Sequence, residues 1–367
     1  MALRKPRIIL LLLAAALLLG TIATLAAVGV FGGAEHGKGT SARESSKGLE
    51  IVLRTSGRKL TSDKMALALS IMRRRADMLG VVGAEIRKKG FDEIVIVLPR
   101  IRDAARRLQV IKKTGQLQIF DLETSLTGPS VKSFVPQPLA PYPLLKTIAN
   151  EAKAQIESSY YLFDENHKLV AGPAETREGL LQMLRSTGRS MWPGDTILGV
   201  PGSTTVVSCD LATSRFCPSA HGGFQPKKNQ TWYYLFRLPS QLTGKDLNAS
   251  GIRADYGQGS GPIVDISFTS HGNKMFQQIT RDEYIRGQTY GAQHFAVVLD
   301  GQLITFPQID PKDSSLSQGI DPSVAGAIIE GIGSINEAKD LAVMLQTGAL
   351  PARFYVVESR RVPTQTG

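Results

Sequence analysis

Leu49-Glu50-Ile51-Val52-Leu53-Arg54 alternates apolar and polar side chains, with Leu49, Ile51 and Leu53 on one side, as a strand does. Outward from it, residues 62–79 place Met65, Leu69, Met72 and Ala76 at helical spacing, and Gly80 supplies the left-handed turn that stops a helix. Strands are predicted at 82–88 and 93–98 around a turn at Gly90. A second helix follows over 102–113, ended by Gly115, and a fourth strand over 116–122. The order β-α-β-β-α-β is that of a ferredoxin-like sandwich, with helices on one face of an antiparallel sheet.

A related unit returns near the C-terminus. Residues 327–331 and 353–358 read as strands around a helix at 334–346, capped by Ser334 with Glu337 three positions on and ended by Gly348. Val110-Ile111-Lys112-Lys113-Thr114-Gly115-Gln116-Leu117 aligns without gaps against Val343-Met344-Leu345-Gln346-Thr347-Gly348-Ala349-Leu350. Any amphipathic helix ending in Thr-Gly before a strand would match as well, so kinship and chance both stay open. Between these ends, 127–142 is rich in Pro and Ser and reads as loop. Helices are predicted at 144–158 and 175–185, and 188–229 is turn-rich. Regular structure resumes with strands at 233–237, 264–269, 295–299 and 303–306 and a helix over 274–285. Asp300-Gly301 marks a hairpin, because both central residues need positive φ.

At the other end, residues 8–31 contain no charged side chain and, at about 1.5 Å per residue, exceed the roughly 30 Å apolar core of a bilayer. Arg4, Lys5 and Arg7 precede this run, which places the N-terminus in the cytoplasm. A cleaved signal peptide has a shorter apolar region, so the length favours an uncleaved transmembrane anchor. Residues 32–47 are polar with Gly and Ser and read as a linker.

The formal net charge is +11, which suits anionic lipid or an acidic partner. The cations are spread along the chain with no arginine patch interleaved with aromatics, which argues against nucleic acid. Cys209 and Cys217 cannot make a four-ligand zinc site; outside the cytoplasm they could close a small disulfide loop or remain two separate thiols. The five histidines have no metal-ligand spacing, and no Walker-type loop is present, so neither metal nor cofactor is expected. Ser56-Gly57-Arg58-Lys59, Lys113-Thr114-Gly115 and Ser334-Ile335-Asn336 mimic penicillin-recognising hydrolase motifs. Their order is wrong and the first lies in a turn, so the chain is not expected to be an enzyme.

Four motifs carry a family resemblance. Arg75-Ala76-Asp77-Met78-Leu79-Gly80-Val81 is similar to R-x-D-x-L-G-V, and Ile94-Val95-Ile96-Val97-Leu98-Pro99 to I-V-V-x-L-P. Val298-Leu299-Asp300-Gly301 is similar to V-L-D-G, with Pro307 at the usual proline. Ala338 to Leu345 followed by Gly348-Ala349-Leu350-Pro351-Ala352 is similar to A-x-x-L-A-x-x-L…G-A-L-P-A. With these, the chain resembles SecD, the accessory subunit of the bacterial Sec protein translocase. Arg100 stands where the family usually has glycine.

The resemblance implies an α+β protein with an N-terminal transmembrane helix, a ferredoxin-like base domain and an inserted α+β head domain. The expected divisions are a cytoplasmic start (1–7), the span (8–31), the linker (32–47) and the first part of the base (48–126). A loop-rich insertion (127–232), the head (233–311), a loop (312–323), the second part of the base (324–360) and a tail (361–367) follow. The implied function is accessory: binding or assisting preprotein on the extracytoplasmic side of the bacterial inner membrane. The implied partners are the lipid bilayer, SecF, a SecYEG-type channel and unfolded preprotein. Family members continue into further spans with polar residues implicated in proton coupling; the chain ending at Gly367 is expected to lack them. A single-span envelope scaffold is the alternative. Phe268, Phe276, Ile279 and Phe306 are candidate preprotein contacts, although their spacing suits a buried helix face and core equally.

Overall fold

The first strand, β1 (Lys47–Thr55), lies inside a four-stranded antiparallel sheet. It pairs with β3 (Glu93–Leu98) on one side and with the C-terminal strand Phe354–Pro363 on the other; β2 (Glu85–Lys89) lies beyond β3. The computed structural model describes residues 47–57, 59–152, 156–257, 261–330 and 332–363. The expected span at 8–31 and most of the linker at 32–47 lie outside the described residues. Among these residues no helix is long and apolar enough to cross a membrane.

Helices α1 (Ser62–Met78) and α2 (Ala104–Lys112) cover one face of this sheet. Met65, Ala68, Met72 and Ile111 pack there against Ile51, Leu53, Ile94 and Ile96, the period-3.6 stripe of the helices meeting the period-2 face of the strands. The predicted fourth strand, however, is elsewhere. β4 (Leu117–Asp121) pairs with Gln293–Leu299 and with Leu242–Thr243 in a different, seven-stranded sheet. Burial explains the exchange. Every residue of β4 is buried, so it needs neighbours and cover on both sides, whereas Phe354–Pro363 carries Glu358, Ser359, Arg360 and Arg361 exposed, as an edge strand should.

The seven-stranded sheet runs Trp232–Arg237, Thr204–Cys209, Gln302–Thr305, Gln293–Leu299, β4 and Leu242–Thr243, with Gln308–Ile309 pairing off this path. It draws strands from both sides of position 233, so the regular region expected at 233–311 is not closed by its own residues. Asp300-Gly301 forms the expected two-residue hairpin, with φ of 54° and 79°. Helix Ser270–Tyr290, longer than the predicted 274–285, packs on the sheet through Phe276 and Ile279.

Two regions read as loop hold more order than their composition suggests. Within 188–229, strands Thr196–Pro201 and Thr204–Cys209 form. Residues 127–142 contain a small hairpin, Val131–Lys132 with Val135–Pro136. Thr196–Pro201 joins Glu157–Phe163 and Leu169–Ala174 in a three-stranded sheet beside helices Pro141–Glu151 and Arg177–Ser186. Helix Arg177–Ser186 abuts the first sheet, where Tyr355 donates its hydroxyl to Gln182 at 2.9 Å. A second three-stranded sheet, Arg253–Gly257, Gly261–Ile266 and Ala327–Ile329, lies against helix Ile335–Thr347.

Candidate functional site

Arg75 sits on the buried stripe of α1 with no exposed surface. Its Nε donates to Thr347 Oγ1 at 3.0 Å, and Nη1 donates to the carbonyls of Val110, Ile111 and Lys113. Nη2 donates to the carbonyls of Thr114 at 3.1 Å and Gly348 at 2.7 Å. One guanidinium therefore ties together the C-termini of α2 and of helix Ile335–Thr347, the two ends whose sequences align. Free carbonyls and the negative end of each helix dipole solvate the cation in place of water. Burial lowers the pKa to about 10, partly offset by Asp300, and the side chain stays charged at neutral pH. Gly115 is required here: its φ is +73°, and a Cβ would come within 2.8 Å of Arg75 Nη2.

The Asp300-Gly301 hairpin reaches the same joint. Asp300 accepts hydrogen bonds from the backbone N–H of Gly115 at 3.0 Å and of Gln116 at 2.8 Å, while Arg353 donates to its carbonyl. Leu350 N–H donates to Thr114 O at 2.8 Å. Three motifs far apart in sequence thus meet where the first sheet passes into the seven-stranded one. Sequence reasoning noted the motifs but missed the role of Arg75. The signal was present: an arginine amid Ala68, Met72 and Ala76 on an apolar stripe needs an internal partner.

Beside the joint lies a cleft of about 360 Å³, floored by Ala342, Val343 and Gln346 and walled by Met78, Leu79 and Ala254. Arg106 closes one end, its Nη1 donating to both carboxylate oxygens of Asp340 at 2.6 Å. Strand Arg253–Gly257 is an edge of its sheet. Tyr256 stands opposite Pro262, which has no N–H, and its own N–H donates to Asp255 Oδ1 at 2.8 Å. Tyr256 and Ala254 are therefore the non-hydrogen-bonded pairs of this ladder, and their backbone groups point to the open side. Gln346 caps the edge upstream by donating to Ile252 O at 2.6 Å.

Three of the four residues expected to touch preprotein are core. Phe268, Phe276 and Ile279 are buried, Phe276 contacting Phe268 face to face and Phe295 edge to face. Their apolar face needed cover, and β4 with Gln293–Leu299 supplies it, leaving only a closed void of about 10 Å³. Phe306 is half-buried, 5.7 Å from the His294 ring, and belongs to another cluster. Cys209 and Cys217, both fully buried, have their Sγ atoms joined and tie down a loop that Asp210 orders by accepting from the N–H groups of Ala212 and Thr213.

The back of the same helix holds a buried charged group that sequence reading missed. Asp121 pairs with Arg286 at 2.8 Å, and Glu123 accepts from His294 N–H at 2.9 Å and meets its Nδ1 at 2.7 Å. Glu283 lies next to them with no exposed surface, and among the described residues neither carboxylate oxygen has a hydrogen-bond partner. Burial first, then Asp121 and Glu123, hold its pKa well above the usual carboxylate range.

Comparison with known proteins finds similarity to SecD and SecDF proteins. The model of the SecDF P1 head subdomain matches residues 220–352, and that of the N-terminal part of the protein translocase subunit SecDF P1 domain matches 65–124. The protein translocase subunit SecD of Rhodothermus marinus is 25% identical over 84% of this chain and 48% of its own length. That of Elusimicrobium minutum is 24% identical over 83% and 48%. SecDF of Thermus thermophilus is 35% identical over a shorter stretch, 35% of this chain and 15% of the relative. The chain thus spans about half the length of the curated relatives that it matches nearly throughout. A SecDF crystal structure in a super-membrane-facing form aligns with 86% of this chain and 30% of its own, at 24% identity and TM-score 0.47.

Proposed function

We propose that this chain, which is similar to SecD and matches the N-terminal and head parts of the SecDF P1 domain in order, assists Sec-dependent protein translocation on the extracytoplasmic side of the membrane. In this reading residues 8–31 anchor it in the bacterial inner membrane, and its partners are SecF, a SecYEG-type channel and unfolded preprotein. The strand order β2, β3, β1, Phe354–Pro363 with α1 and α2 on one face is read as a ferredoxin-like base, interrupted after α2 by an inserted head. No catalytic role is proposed.

The observation that carries the substrate contact is the open edge at Arg253–Gly257 beside the cleft. An emerging preprotein is extended and presents backbone N–H and C=O groups whatever its sequence. A free edge pairs with those groups without side-chain specificity, which suits a protein handling many clients. This edge replaces the buried phenylalanines as the expected contact. A photo-crosslinker placed at Tyr256 in the full chain should capture a secretory chain stalled in inner-membrane vesicles, whereas one placed at Phe91 should not. Equal capture at both positions, or none at Tyr256, sinks the assignment.

A further inference from the structure

The register of the first sheet places both of its chain ends together: Lys47 stands opposite Pro363 and Leu49 opposite Arg361. Leu98, the last residue of β3, is also opposite Leu49, and Glu85, the first of β2, is opposite Val97. One end of the sheet therefore gathers the start of β1, the finish of Phe354–Pro363, and the loops 79–84 and 99–103. Only 15 residues separate the apolar run at 8–31 from Lys47, so this is the end tethered nearest the bilayer. The opposite end carries the Gly90-Phe91 turn between β2 and β3.

The tethered end has a composition of its own. Val82 is 87% exposed at the tip of its loop, an apolar side chain turned to solvent. Arg100, Arg102 and Arg361 are exposed, and among the described residues none has a carboxylate within ion-pair distance. Arg360 is already paired with Glu50. Asp103 and Glu85 are exposed carboxylates at the same end, so the excess of cations is small. We propose that this end of the first sheet is a lipid-contacting surface, in which Val82 enters the headgroup boundary and Arg100, Arg102 and Arg361 engage anionic headgroups. Arginine offers planar, bidentate recognition of a phosphate, and a negative leaflet attracts cations only within about a Debye length. So few charges would not recruit a free protein. They suffice for one whose tether already holds it at the surface, where a weak second contact sets orientation.

The inference rests on the reading of 8–31 as an anchor, and one preparation separates the two. The full chain, carrying Val82→Cys or Phe91→Cys labelled with an environment-sensitive fluorophore, is reconstituted into vesicles containing brominated lipids. One set is pure phosphatidylcholine, and in the other a third is phosphatidylglycerol. The Val82 probe should be quenched several-fold more than the Phe91 probe in the anionic vesicles. The difference should shrink in the neutral ones and vanish with Arg100→Glu, Arg102→Glu and Arg361→Glu combined. Equal quenching at both positions, or quenching indifferent to lipid charge and to the reversals, overturns the inference. Retention of the chain after alkaline carbonate while Val82 stays unquenched overturns it alone; extraction of the chain overturns the anchor with it.

Discussion

Arg75 shows how one side chain serves two helices. Replacing it with Met leaves a hydroxyl and several carbonyls buried without a donor, and each unmet group costs about 1–3 kcal/mol. Arg75→Met should therefore lower unfolding free energy by roughly 3–5 kcal/mol in a denaturant titration, and Arg75→Lys should recover little, since an ammonium cannot span both helix ends. Glu283 makes the contrasting case. Its folded pKa lies well above the ordinary value of about 4.3, so its contribution is fully present below that ordinary value and is lost as pH rises through the raised one. Glu283→Gln should flatten this loss, removing a slope of up to about 1.4 kcal/mol per pH unit in melting curves taken across that window. A slope unchanged by the substitution would assign the pH dependence to other groups.

Among elements, the exchange of β4 for Phe354–Pro363 carries the most consequence. β1 is an inner strand only because the chain returns after the whole insertion to pair with it. A chain ending after Ala352 would lose that pairing and the burial of Phe354, which alone is worth about 1.5–3 kcal/mol. Amide exchange in β1 should then accelerate by at least about tenfold, while Gln293–Leu299, held in the other sheet, keeps its protection. Equal acceleration in both would mean that the two sheets unfold as one unit. The predicted helices α1 and α2 and strands β1 and β3 were legible because their periodicity is strong and their caps are local. Thr196–Pro201 and Thr204–Cys209 were not, since glycine and proline turns between short strands look like loop until pairing partners are known.

At the scale of the molecule, the motif residues make the joint between two sheets, and several of them, Met78, Leu79, Ala342 and Val343, also line the cleft beside it. Arg75, Gly115, Asp300 and Gly348 converge there, and the cleft with its open edge lies beside them. The candidate contacts Phe268, Phe276 and Ile279 lie in the core, and their sequence left both readings open because an apolar face has the same spacing whether it meets its own sheet or a partner. What distinguishes the two is the number of covering strands, and those come from residues 117–121 and 293–299.

By itself, the sequence determined the alternating strands, the amphipathic helices, the Asp300-Gly301 turn, the apolar run at 8–31 and the motifs that resemble SecD, because each depends on a local pattern. The tertiary structure alone decided which strand completes the first sheet, that Arg75 anchors the joint, and which edge remains open. Those outcomes depend on pairings between residues from about sixty to about three hundred positions apart, where burial on both faces and unmet backbone groups select the partner.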